Sequence, residues 1–107
     1  LGRHAAVTNI WIVYVEVRGT AASALPPTSG AFVECYVPAD TPEDASALAR
    51  TALMDDGYTI HGDVECISFD HDAWDDENDP DRGVRTAAAL AESQRSLQYG
   101  PFRAWTL

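Results

Sequence analysis

Lysine is absent from this chain: its seven basic residues are all arginines, set against seventeen aspartates and glutamates, for a formal net charge of −10 over 107 residues. That balance excludes the phosphate backbone of nucleic acid and anionic membranes as partners, because approach meets repulsion and releases no counterions. It favours a basic partner. Absent lysine with abundant alanine also fits GC-rich coding or a salt-adapted proteome, in which case the acidity carries no function. Cysteine is scarce, only Cys35 and Cys66, which excludes a disulfide framework and paired-cysteine metal spacing. No apolar run approaches the ~18 residues of a membrane helix, so a soluble chain is expected. There is no basic stretch followed by an apolar core and a small-residue cleavage site, which makes the cytoplasm the default location. Leu1 is not an initiating residue, and chain upstream of it is expected. Glycine-rich phosphate loops, GxSxG and HExxH are missing as well. No catalytic residue, metal site or cofactor is assigned.

What is present fits one domain spanning residues 1–107. After a loose lead-in over residues 1–8, Asn9 to Arg18 (NIWIVYVEVR) is β-branched and aromatic, the mark of a strand. Gly19 to Gly30 is too long for a tight turn, and Ala31 to Val37 forms a second strand that Pro38 ends. Thr41-Pro42-Glu43-Asp44 starts a helix well, with a cap, proline at the first position and acids against the positive end of the dipole. Apolar positions Ala45, Leu48, Ala49, Ala52 and Leu53 carry that helix from Pro42 to Asp56, and Gly57 stops it. Tyr58 to Phe69 alternates as a third strand, with Gly62 at a candidate bulge. A second helix, capped by Asp79 or Asp81, is expected to reach about Tyr99 and to end at Gly100-Pro101, before a short last strand over Phe102 to Leu107.

The order ββαβα(β) predicts an α+β two-layer sandwich with a mostly antiparallel sheet. The apolar first strand should lie between the second and third, antiparallel to both, as in ferredoxin-like topologies. If both helices cover one face, the buried layer is Trp11, Val13, Val15, Val17, Val33, Cys35, Val37, Ile60, Val64 and Cys66. The cysteines then sit about 9 to 10 Å apart, two strand spacings, and stay free. The opposite face carries Ile10, Ile12, Tyr14, Glu16, Phe32, Glu34, Tyr36, His61, Asp63, Glu65, Ile67 and Phe69. It is too apolar to be left wet and too charged for an ordinary core, which points to a contact surface. The loop from Gly19 to Gly30 or the C-terminal tail folding over it is the competing expectation.

Between the third strand and second helix, seven of the twelve residues from Asp70 to Asp81 are acidic. A calcium loop counted from Asp75 fails, because Pro80 stands where glycine is needed and Thr86 where the bidentate glutamate belongs. Trp74, among these acids, either anchors the loop on the core or offers an aromatic contact. On the sheet, His61 can meet Tyr14, Tyr36 or Glu34 only across strands, and Glu65 lies about 13 Å away along its own strand.

These features predict a non-enzymatic interaction module, homodimeric through the open sheet face and binding a basic protein. The acidic loop residues Asp72, Trp74, Asp75, Asp76 and Glu77 are the expected contact. In gross charge alone the chain is similar to immunity proteins that neutralise basic nuclease toxins. The alternative is a small-molecule site or enzyme resembling dimeric ferredoxin-like barrels, with Tyr14, Glu34, Tyr36, His61 and Glu65 lining a pocket.

Overall fold

A computed structural model describes residues 9–106, and of Asp63 the backbone only. The expected lead-in over residues 1–8, the side chain of Asp63 and the last residue of the terminal strand, Leu107, lie outside the described residues. The chain forms a small α+β domain. Strand β1 (Asn9–Arg18) is followed by β2 (Ser29–Ala39), helix α1 (Pro42–Asp55), β3 (Thr59–Ser68), a single 3₁₀ turn (His71–Ala73), helix α2 (Gly83–Gln94) and β4 (Gln98–Thr106). The strands make one antiparallel sheet in the order β3-β1-β2-β4. Thus β1, the most apolar strand, lies between β2 and β3 as expected. Among the described residues no helix is long and apolar enough to cross a membrane.

Strand alternation sorts the side chains as the sequence predicts. Val13, Val15, Val17, Val33, Cys35 and Val37 are fully buried in one cluster, joined by Trp11, Ile60, Val64 and Cys66 at its edge. Helix α1 closes this layer with Ala45, Ala49 and Leu53. Burying a side chain such as Leu53 is worth about 1.5 to 3 kcal/mol before entropy is counted. The helix begins as its sequence dictates, with the Thr41 hydroxyl accepting from the Asp44 amide at 3.1 Å and Pro42 in the first turn. It ends at Gly57, whose φ of +92° and close approach to the Ala22 carbonyl leave no room for a side chain. The loop from Gly19 is tied to this same region. The Thr20 hydroxyl donates to the Gly57 carbonyl, and Leu25 joins the core beneath α1. It therefore does not cover the opposite face.

The opposite face departs from the two-layer expectation. Helix α2 lies there, with Ala88 and Ala91 buried against Ile10, Ile12 and Tyr36, so the helices flank the sheet on both sides. Ferredoxin-like topology, with both helices on one face, is not reproduced. The reason is that β1 is apolar on both faces: Ile10 and Ile12 need cover as much as Val13 and Val15 do.

Helix α2 also ends earlier than its sequence suggests. Arg95 turns into the left-handed region (φ 52°), and Gln98 and Tyr99 pair with Tyr36 and Cys35 of β2. Gly100-Pro101 lies within the β4 strand, where the register with β2 slips, and proline is tolerated because β4 is an edge. Pro38 likewise does not end β2. The β4 ladder reaches only to Tyr36, so its missing N–H costs no ladder bond on that side.

Candidate functional site

Because α2 covers only the Ile10–Ile12–Tyr36 end, the other half of that face remains open among the described residues. Tyr14 of β1 stands at its centre, opposite Glu34 on β2 and Glu65 on β3. One step along, Glu16 faces Phe32 on one side and His61 on the other. Tyr14, Glu16, Phe32, Glu34, Glu65 and Arg103 line a depression of about 330 Å³, with the backbone of Val15 and Val33 between them and the side chains of those two valines in the layer under α1. Phe32 is 57% exposed and Ile67 43%, both large for apolar side chains on a sheet. Trp105 of β4 lies over Gly30, where a Cβ would come within 2.6 Å of its ring, and stacks tilted on Phe32 with centroids 4.8 Å apart.

The polar groups here are held by the fold beneath them. Tyr36, 1% exposed under α2, donates its hydroxyl to Glu34 Oε1 at 3.1 Å. Burial raises its pKa above the ordinary phenol value, and the Glu34 charge and hydrogen bond add to the rise, so it remains a neutral donor. Glu34 Oε2 faces Arg103 Nη2 at 3.9 Å, and Glu16 faces Arg18 at the same distance. Tyr14 is also shifted upward, by burial first and then by Glu34, with Arg103 opposing and Glu65 adding.

Of the residues expected to line a pocket, Tyr14, Glu34 and Glu65 are brought together. Tyr36 is not on the open surface; it sits below α2 and reaches the site only through its hydroxyl. His61 is exposed beside Glu16, set apart from Glu65 by the register slip that includes Gly62, and does not line the depression. Arg103 and Trp105 are not among those expected lining residues. They arrive on β4, the C-terminal strand, whose long-range pairing with β2 brings part of the tail onto this face, as the competing expectation holds. Among the described residues no three His, Cys, Asp or Glu side chains converge in a metal-binding arrangement.

The acidic loop is largely built into the structure. Asp70 accepts from the Asp72 amide, and the Asp75 carboxylate accepts from the amides of Glu77 and Asn78. Asp79, buried, takes the Val84 and Arg85 amides of the first turn of α2 at 3.1 Å each, together with the Arg85 Nε. Burial raises the Asp79 pKa, but those two amides and the guanidinium outweigh it and hold the carboxyl below its usual value. Asp76 pairs with the same guanidinium at 3.0 Å. Trp74 is half-buried against the cluster under α2, so it anchors the loop on the core. Asp72 and Glu77 are exposed.

Cys35 and Cys66 stand opposite Val13 from the two neighbouring strands and are free thiols. Burial pushes the Cys35 thiol up to about 12, which makes it a poor nucleophile. Comparison with family models, with curated proteins and with solved structures finds no match to this chain.

Proposed function

We propose that this chain is a binding module whose open half-sheet receives a basic protein partner, and that it works without catalysing a reaction. The observation that carries this reading is the uncovered aromatic surface of Tyr14, Phe32 and Trp105, edged by the carboxylates of Glu16, Glu34 and Glu65. Apolar surface of this kind is unfavourable in water unless a partner removes it, and its charged margin selects a cationic one. The net charge of −10 speeds encounter with such a partner over long range. The loop contributes to that field through Asp72, Asp76 and Glu77, whereas Asp75 and Trp74 are committed to holding the loop together. The sheet, not the loop, is therefore the contact. Self-association through this face would set the three glutamates of one copy against those of another, so a basic partner is preferred to a homodimer. The two free thiols suit the cytoplasm as the place of work.

The volume of the depression, about 330 Å³, lies at the lower end of small-ligand pockets and favours, as a second reading, a small cationic molecule held in the same place. The test uses an arginine- and lysine-rich peptide as probe, titrated calorimetrically at low and high salt. Substituting Glu16, Glu34 and Glu65 together by Gln should weaken binding about tenfold or more. Substituting Asp72, Asp75, Asp76 and Glu77 by Asn or Gln should mainly flatten the salt dependence. The reverse pattern would transfer the contact to the loop. Dimer formation that the peptide fails to reverse would restore the homodimer. A triple variant that keeps the peptide but loses a small cation would select the second reading.

A further inference from the structure

We infer that the depression recognises an arginine side chain of the partner, and that Arg103 is the chain's own stand-in for it, resting at the rim until the incoming guanidinium displaces it. This rests on the reading of the open half-sheet as the contact surface and names the chemistry that surface selects.

The geometry of the acceptors favours a guanidinium. Glu34 and Glu65 flank Tyr14 from strands on either side of β1, their backbones roughly 9 to 10 Å apart across two strand spacings. A planar cation with five N–H donors, seated over Tyr14 between them, can turn a different edge to each carboxylate, whereas a lysine ammonium is a compact point charge. The walls suit the rest of the side chain. Phe32 and Tyr14 put aromatic rings into the lining, for cation–π contact with the guanidinium and apolar contact with the propyl stem.

One acceptor is prepared in advance. Glu34 is mostly buried, with its Oε1 fixed by the Tyr36 hydroxyl, which leaves Oε2 turned to the cation. The cation now facing Oε2 is Arg103, and it is held loosely. Its side chain is 71% exposed, its Nη2 lies 3.9 Å from Oε2, at the outer limit of an ion pair, and it comes from an edge strand with a slipped register. A pair of that kind contributes about 0.2 to 1 kcal/mol. It is too weak to fill the site permanently, yet strong enough to compete with a ligand.

The experiment compares two peptides of equal length and charge, one built on arginine and one on lysine. Wild type should bind the arginine peptide more tightly. Arg103→Ala should tighten it further by about 1.4- to 5-fold, the conversion of the weak pair it removes. Arg50→Ala, which removes the same charge from exposed α1, controls for the general field and should tighten less. Glu34→Gln and Tyr36→Phe should erase the preference for arginine, with thermal melting confirming that each variant folds. Equal affinity for the two peptides, weaker or unchanged binding by Arg103→Ala, or equal tightening by Arg50→Ala overturns the inference while leaving the basic-partner reading intact. Failure of wild type to bind either peptide overturns both.

Discussion

At the scale of single residues, Asp79 shows how a charge-rich segment can be structural. Its carboxylate satisfies two otherwise unpaired amides of the first turn of α2 and pairs with the Arg85 side chain. Replacing it with alanine should cost about 2 kcal/mol, the upper range for losing a helix cap. The effect should depend on pH in a defined direction. With its folded pKa depressed, Asp79 contributes stability that is fully present above the unfolded carboxyl value, about 3.9, and is lost as pH falls through the lower folded value. Thermal melts of wild type and Asp79→Ala should therefore differ at neutral pH and converge in acid. A gap of constant size down to pH values below the folded pKa would show that the ionised cap is not what Asp79 supplies. Glu34 also has one oxygen fixed, but its other oxygen faces the open surface.

At the scale of elements, α2 decides how much of the sheet remains open. Its contact with the sheet is made by the small side chains Ala88 and Ala91, which allow close approach over Ile12 and Tyr36. Ala91→Leu should overfill that contact and cost about 1 to 3 kcal/mol. Ala89→Leu, at an exposed position of the same helix, should stay within about 0.5 kcal/mol of wild type. Chemical denaturation of both variants checks this; equal losses would mean that α2 does not seat on the sheet through its alanines. The sorting of side chains was legible in sequence because strand alternation is local: Asn9–Arg18 is the observed β1, and every residue assigned to the layer under α1 lies there. The side taken by α2 differs from the expectation, although Ile10 and Ile12 carry the signal that both faces of β1 need cover. The end of α2 was misplaced because Gln98 and Tyr99 are held by distant partners on β2. In the acidic loop, a count of carboxylates could not tell Asp75 and Asp79, which accept backbone amides, from Asp72 and Glu77, which stand exposed.

At the scale of the whole molecule, the helices leave one interrupted surface: a half-sheet of aromatics and glutamates at the open end of a face whose other end is closed. In the proposed function, the net charge of −10 speeds encounter with a basic partner, while the half-sheet sets the fit. The two contributions separate with salt, because screening acts over a Debye length of about 8 to 10 Å and leaves close contacts largely intact. The most direct measurement is a two-dimensional amide NMR titration of the whole chain with the arginine peptide at moderate salt. Resonances of Tyr14, Glu16, Phe32, Glu34, Glu65 and Arg103 and the Trp105 indole should move together and saturate, with residues 72–77 nearly still. Shifts centred on residues 72–77 or on the outer face of α1, with the half-sheet unmoved, would contradict the account.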